Sequence, residues 1–191
     1  MSRTYLNDSW YFSTEYKDAM IQSDYDESSM ESIRLPHTCR EVPFHYFDEQ
    51  MYQMVCGYRR SIFAPETWRD KSVVLTFEGV AHSAQIFING ELVKEHYCGY
   101  TACSVEIGEQ LNYGQNNQLT VRVNSREDQN IPPFGYVIDY MTFGGIYRDV
   151  YLDVREKEYV EDIFVKTILP PGLKSHPDKN AVEYYPAKIV S

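Results

Sequence analysis

The sequence predicts an all-β fold, a β-sandwich of the jelly-roll kind. Three observations indicate it: short segments alternate apolar and polar residues, an Asn-Gly pair separates two such segments, and helical periodicity is weak along the whole chain. Alternation with a period of two places one face of a strand in the core. Many short strands with little helix are typical of sandwiches and barrels. An immunoglobulin-like sandwich is the alternative at this level.

Three segments carry the alternation most clearly, and each is rich in β-branched and aromatic residues, which favour strands. Their inward-facing residues are predicted to be Val73, Leu75 and Phe77, then Leu119, Val121 and Val123, then Val150, Leu152 and Val154. The residues between them, including Tyr151 and Asp153, are predicted to face outward. Each segment is therefore predicted as a strand with one buried face.

A hairpin is predicted at Asn89-Gly90, between strand-like residues 84–88 and 91–95. Asn-Gly is the strongest short hairpin signal, because a type I′ turn needs positive φ at both central positions. The best helical candidate is a turn or two in residues 47–53.

The organisation of the chain changes near residue 156. Residues 155–159 are charged and are predicted to be a linker, residues 160–168 to be one more strand, and residues 169–191 to be a polar, mobile tail. One strand cannot make a domain. We therefore predict a jelly-roll domain in residues 1–155, and in residues 156–191 a linker and the first strand of a truncated second domain.

Charge and composition exclude several function classes. The net charge of −10 disfavours nucleic acid, because an acidic surface repels phosphate. The N-terminus has no signal-peptide pattern, and no apolar run reaches the roughly 20 residues of a membrane helix. The four cysteines, Cys39, Cys56, Cys98 and Cys103, form no C-x-x-C pair. We therefore expect free thiols, a cytoplasmic protein and no membrane partner.

Metal motifs are incomplete in this sequence. Residues 24–35 begin like a calcium loop, but Ser29 and Leu35 replace the required Gly and Glu. His37 and Cys39 together with Cys98 and Cys103 fit no usual zinc spacing. The chain also lacks a Walker-type loop and a G-x-S-x-G elbow. No firm metal site is predicted.

The most informative segment covers residues 131–150, an aromatic-rich stretch longer than a hairpin needs. Long ordered loops on a sandwich usually serve binding. Asp139 lies there among apolar neighbours, and a buried carboxylate needs partners. Composition alone leaves two roles equally open: Asp139 holds the loop through backbone hydrogen bonds, or it contacts a ligand.

The end of this segment, Phe-Gly-Gly-Ile-Tyr-Arg-Asp-Val at residues 143–150, resembles the G-I-x-R-x-V signature of family 2 glycoside hydrolases. Five other pieces agree and follow the family's order over about residues 8–168 of the chain. They are Leu-Pro-His-Thr at 35–38, Gly-Tyr-Arg-Arg at 57–60, Phe-Glu-Gly-Val at 77–80, Ile-Asn-Gly at 88–90 and His-Tyr-Cys-Gly-Tyr-Thr at 96–101. Cys39 departs from the pattern, since many relatives carry Trp there.

The resemblance implies the N-terminal, galactose-binding-domain-like sandwich of a retaining glycosidase of β-galactosidase or β-glucuronidase type. It implies carbohydrate as the ligand, and the immunoglobulin-like and (β/α)₈ barrel domains as missing partners. The two catalytic glutamates, about 5 Å apart, belong to the barrel, so this chain is expected to be inactive alone. A homo-oligomer is compatible with it. No cofactor is expected in this chain. The resemblance implies sodium or magnesium in the full enzyme.

By the same resemblance, the aspartate six residues before the Gly-Ile of the signature contacts sugar hydroxyls, and this position is Asp139. A carboxylate accepts charge-assisted hydrogen bonds from two hydroxyls at once. Tyr136 and Tyr140 are weaker candidates for stacking on the sugar, and a sodium ion beside Asp139 is implied for the full enzyme. Two alternatives stay open: a stand-alone carbohydrate-binding module, and a structural or assembly domain.

Overall fold

The computed structural model describes residues 2–41, 45, 48–135, 143–160 and 163–165. The chain divides into two compact units, Met1–Lys157 and Glu158–Ser191. The strands of the first unit are β1 (Ser2–Tyr5), β2 (Trp10–Ser13), β3 (Glu31–Ile33), β4 (Val55–Ala64), β5 (Lys71–Phe77), β6 (Val80–Ala81), β7 (Ser83–Ile88), β8 (Glu91–His96), β9 (Cys103–Glu106), β10 (Gln115–Asn124), β11 (Gly145–Ile146) and β12 (Val150–Glu156). Short 3₁₀ turns cover Asp18–Ile21, Glu49–Tyr52 and Glu66–Trp68.

The strands form two main antiparallel sheets. The smaller sheet has the order β1-β12-β5-β9, and the larger has the order β3-β2-β4-β10-β7-β8. A two-stranded ribbon pairs β11 with β6, so that Gly145 lies opposite Ala81. The predicted all-β jelly-roll sandwich is confirmed.

The core lies between the two sheets, where the alternation placed it. All nine residues predicted to face inward on β5, β10 and β12 are buried. Trp10 and Phe12 of β2 and Tyr58 of β4 add aromatic rings to the same core. Burial of these side chains is the main favourable contribution to folding.

The predicted hairpin joins β7 to β8. Asn89 has φ of 50° and Gly90 has φ of 87°, as a type I′ turn requires. The Asn89 amide also donates to the side-chain oxygen of Asn117 over 2.8 Å and to the carbonyl of Gln110 over 2.9 Å. The turn is therefore fixed by its own backbone conformation and by contacts with neighbouring segments.

The predicted linker is wrong at its start. Strand β12 continues to Glu156, because Arg155 and Glu156 pair with Ser72 and Lys71 of β5. The Lys71 ammonium lies 2.6 Å from the Glu156 carboxylate. The charged residues at this point therefore extend β12 and do not leave the sheet.

Two charged residues are nevertheless buried, although the alternation along their strands directs both away from the core. Asp153 of β12 accepts two hydrogen bonds of 2.9 Å from the Arg3 guanidinium. Arg59 of β4 donates to the Glu27 carboxylate over 2.8 Å and to the carbonyl of Gln22 over 3.0 Å. The outer face of the larger sheet is thus covered, at Arg59, by the segment that follows β2. Asp153 corrects our prediction that this position faces solvent.

Of the second unit, only residues 158–160 and 163–165 are described, and these residues form no strand. The rest of the strand predicted for residues 160–168 lies outside the described residues, so the second domain stays a prediction. Within the described part of the chain, no helix has the length and apolar character to cross a membrane.

Candidate functional site

A cleft of about 370 Å³ opens where four loops meet at one end of the sandwich. Its wall includes the aromatic rings of Tyr100, Phe143 and Tyr147 and the imidazoles of His37 and His82. Ligand sites in proteins commonly occupy about 300–1,000 Å³. The cleft is therefore large enough to hold a ligand of one or two rings.

The segment indicated by the sequence, residues 131–150, contributes described residues to the lining of this cleft. Pro133 precedes, and Phe143 follows, the stretch 136–142, and both line the cleft. Tyr136, Asp139 and Tyr140 lie outside the described residues, so their roles stay predictions. Described residues on both sides of this stretch therefore lie at the cleft.

The glycine pair of the signature is required by close packing. A Cβ on Gly144 would lie 2.2 Å from the Cβ of Ser125, and one on Gly145 would lie 2.7 Å from the carbonyl oxygen of His37. Gly145 also has φ of +115°, where a side chain is strained. The two glycines therefore allow the end of the loop to press against the body of the sandwich.

Residues 36–39 run beside the glycine pair and are bonded to it. The His37 amide donates to the carbonyl of Ile146 over 2.8 Å, and the Cys39 amide to that of Gly144 over 2.9 Å. Nδ1 of His37 lies 3.0 Å from the Tyr58 hydroxyl. The Leu-Pro-His-Thr motif thus forms one wall of the cleft and is attached to the Gly-Ile signature.

Gly99 connects two further walls of the cleft. Its amide donates to the carbonyl of Pro132 over 2.7 Å, and its carbonyl accepts from the Tyr147 hydroxyl. A Cβ on Gly99 would lie 3.0 Å from Cδ of Pro133. The motif at residues 96–101 includes Gly99, but no sequence pattern indicates its contact with residues 132–133, because that contact joins segments distant in the chain.

His82 is buried beside this junction, next to the cis peptide bond between Ala81 and His82. Its Nδ1 lies 3.2 Å from the carbonyl of Arg126, so Nδ1 carries the hydrogen and donates. Nε2 is buried without a hydrogen-bond partner. Burial lowers the pKa of His82, and it also lowers the pKa of His37. Both imidazoles are therefore neutral at pH 7.

No Asp, Glu, Lys or Arg is found among the described residues that line the cleft. The neutral histidines add no charge at pH 7. A neutral ligand would thus meet no uncompensated charge on the described walls, whereas an anion would find no cation there to pair with.

Cys39 packs against the base of the loop. Its sulfur lies 3.7 Å from the Ser125 hydroxyl, and it would lie 2.9 Å from a Cβ on Gly144. Its interaction with the Cys56 thiol lowers the pKa of Cys39 to about 7 and raises that of Cys56. A small residue at this position leaves room for the close approach of Gly144.

Comparison with known proteins assigns the family. Residues 4–155 match the family described as glycosyl hydrolases family 2, sugar binding domain. The chain belongs to this family. The family 2 resemblance predicted from the motifs is confirmed, and it accounts for the sandwich and for the signature that ends at β12.

The relatives of this family 2 domain include two types of named enzyme. It is 41% identical over 163 residues to the β-galactosidase of Thermoanaerobacterium thermosulfurigenes, covering 85% of this chain and 23% of the relative. It is 30% identical over 158 residues to the β-glucuronidase of Bacteroides fragilis, covering 83% of this chain and 21% of the relative. Both enzyme types are therefore represented among its relatives.

Solved structures agree with the assignment to family 2. The β-glucuronidase of Bacteroides uniformis superposes with a TM-score of 0.72 at 37% identity, covering 81% of this chain and 18% of that one. The chain thus spans less than a quarter of the length of these relatives. It corresponds to the sugar-binding domain of larger glycosidases.

Proposed function

We propose that this family 2 domain belongs to a retaining glycosidase that cleaves terminal β-D-galactosides, and that it walls the active site and contacts the sugar through Asp139. The observation that carries the proposal is the position of the cleft between the described flanks of residues 136–142. Pro133 and Phe143, on either side of that stretch, both line this ligand-sized cleft.

The net charge of −10 favours a neutral sugar over a glucuronide as the substrate, because a glucuronide carries a carboxylate that an acidic surface repels. A galactoside, being neutral, is not repelled by this surface. The 41% identity to a β-galactosidase also supports this choice.

The catalytic step is assigned to residues outside this chain. Retaining hydrolysis needs two carboxyl groups about 5 Å apart across the scissile bond, and we place both on the barrel domain that the resemblance implies. Sodium or magnesium in the full enzyme, the weaker sugar contacts by Tyr136 and Tyr140, and the cytoplasmic location stay predictions.

The test of Asp139 uses the full enzyme, with Asp139→Asn compared with Asp70→Asn, an exposed aspartate just before β5. We expect Asp139→Asn to lower kcat/KM for a chromogenic β-galactoside by about 10–100-fold, because one or two charge-assisted hydrogen bonds become neutral ones. Asp70→Asn should leave the rate unchanged. Equal rates for both variants would contradict the role of Asp139.

The isolated chain separates this proposal from the alternatives. We expect no turnover of chromogenic galactosides and only weak binding of galactose in calorimetry. Tight, saturable binding that Asp139→Ala abolishes would instead indicate a stand-alone carbohydrate-binding module. A stable dimer in sedimentation, without sugar binding, would indicate an assembly domain.

A further inference from the structure

The polar side chains of the cleft direct their hydrogen bonds into the protein. The Thr38 hydroxyl donates to the carbonyl of Gly144 over 3.3 Å, and the Tyr147 hydroxyl donates to that of Gly99. Nδ1 of His82 donates to the carbonyl of Arg126, and Nδ1 of His37 is paired with the Tyr58 hydroxyl. These four side chains are thus engaged with the protein, although Nε2 of His82 has no hydrogen-bond partner.

Apolar surface, in contrast, is left uncovered in the same cleft. Phe143 is 45% exposed and Tyr100 is 48% exposed, and the pyrrolidine rings of Pro36 and Pro133 complete the wall between them. The ring of Phe143 packs against the buried Tyr52 in an edge-to-face arrangement, with ring centroids 5.7 Å apart. The ring of Phe143 is therefore held by this contact while almost half of its surface stays exposed.

The free energy of entering such a cleft would differ between a hydroxyl-rich sugar and an apolar ring. Each sugar hydroxyl that leaves water without finding a partner carries a desolvation cost. An apolar ring has no such cost and gains by leaving water. Size allows it, because an apolar cavity of about 150 Å³ suffices for one benzene ring, and this cleft has about 370 Å³.

We infer that the cleft binds the aglycone of the substrate, and that this aglycone is an uncharged aromatic or similarly flat apolar group. The inference rests on the proposed function, since it takes the sugar itself to be held beside the cleft by Asp139 and the barrel. It makes Phe143 and Tyr100 determinants of aglycone specificity, through stacking on the leaving group.

The test compares three probes on this chain by ¹⁵N NMR titration: phenyl β-D-galactoside, methyl β-D-galactoside and phenol. We expect the phenyl galactoside to bind at least tenfold more tightly than the methyl galactoside. The phenyl probe and phenol should both shift the amide signals of residues 99–100 and 143–147. Equal affinities for the two galactosides, shifts elsewhere, or no binding of either phenyl compound would overturn the inference.

Variants test which rings are responsible. Phe143→Ala and Tyr100→Ala should each weaken binding of the phenyl galactoside at least fivefold. Phe63→Ala is the matched control, since Phe63 is 56% exposed but lies on β4, outside the cleft. All three side chains are exposed, so unfolding midpoints should match the parent chain. An equal effect of Phe63→Ala would overturn the inference.

Asp139→Asn separates the two proposals in the full enzyme. If it slows hydrolysis of phenyl and methyl galactosides alike, while Phe143→Ala raises KM for the phenyl substrate only, both proposals stand. If Asp139→Asn has no effect but phenol still binds the cleft, the proposed sugar contact fails alone. If Asp139→Asn acts as expected and Phe143→Ala affects neither substrate, the aglycone inference fails alone.

Discussion

At the scale of single residues, the closest contact in the site is made by Gly144, whose Cα faces Ser125 with no space for a methyl group. We expect Gly144→Ala to lower the free energy of unfolding by about 1–3 kcal/mol, the usual cost of overpacking. The matched control is Gly108→Ala, where the nearest atom, a carboxylate oxygen of Glu106, would lie 3.1 Å from the new Cβ and leaves more room. Urea denaturation measures both, and a similar loss in the two variants would contradict the tight packing at Gly144.

The lowered pKa of His82 predicts how the free energy of unfolding depends on pH. Its pKa is lowered by burial in the folded chain and returns to its ordinary value on unfolding, so the unfolded state binds more protons as the pH falls. The free energy of unfolding should therefore decrease between pH 7 and pH 5, to which the lowered pKa of His37 also contributes.

His82→Asn isolates the contribution of this imidazole. The Asn amide can still donate to the carbonyl of Arg126, but it does not titrate in this range. We expect the decrease between pH 7 and pH 5 to become smaller in the variant, as measured by urea denaturation at each pH. An unchanged pH dependence would show that the buried imidazole is not responsible.

At the scale of secondary-structure elements, Arg59 attaches the segment after β2 to the outer face of β4. Its side chain is 1% exposed, whereas the side chain of Arg69, paired with Glu66, is 57% exposed. Breaking a fully buried pair costs about 3–5 kcal/mol, and this pair should cost less because the Glu27 carboxylate is 27% exposed, while an exposed pair contributes about 0–1 kcal/mol. Arg59→Met should therefore destabilise the chain strongly, and Arg69→Met hardly at all, in thermal unfolding.

Proteolysis adds a second measurement for Arg59. Since Arg59 also donates to the carbonyls of Met20 and Gln22, its loss should expose residues 17–28 to cleavage before global unfolding. Cleavage of the Arg59→Met variant at sites spread over the whole chain would show that the effect is not local.

The strands could be predicted from the sequence because alternation is a local property. The inward-facing residues of β5, β10 and β12 follow directly from a period of two, and the Asn89-Gly90 hairpin follows from the φ angles of one turn. The burial of Arg59 and Asp153 could not be predicted in this way. Each depends on a partner from a distant segment, Glu27 for the one and Arg3 for the other.

The cleft was predictable only in part, for the same reason. The signature at residues 143–150 indicates a loop whose described residues Phe143 and Tyr147 line the cleft, because its glycines form a recognisable pattern. His82, Gly99 and Tyr147 come together through contacts between loops, and no spacing in the sequence encodes those contacts. The sugar-binding role of Asp139 rests on the resemblance to family 2 and stays a prediction.

At the scale of the whole molecule, the first unit contains a complete core. The buried cluster begins at Leu6 and ends at Val154, within Met1–Lys157. Strand β1 pairs with β12, so the first and last strands of this unit are neighbours in the same sheet. We expect residues 1–157 to unfold cooperatively with the midpoint of the 191-residue chain in scanning calorimetry. A much lower midpoint would show that residues 158–191 contribute to the stability of the sandwich.

The two flanks of residues 136–142 are secured independently of what lies between them. Gly135 donates to the carbonyl of Asp128 over 2.9 Å and has no room for a Cβ beside Glu127, just as Gly144 has none beside Ser125. Each of the two glycines therefore fixes one flank against the sandwich by close packing, so that a side chain at either position would displace the described residue next to it.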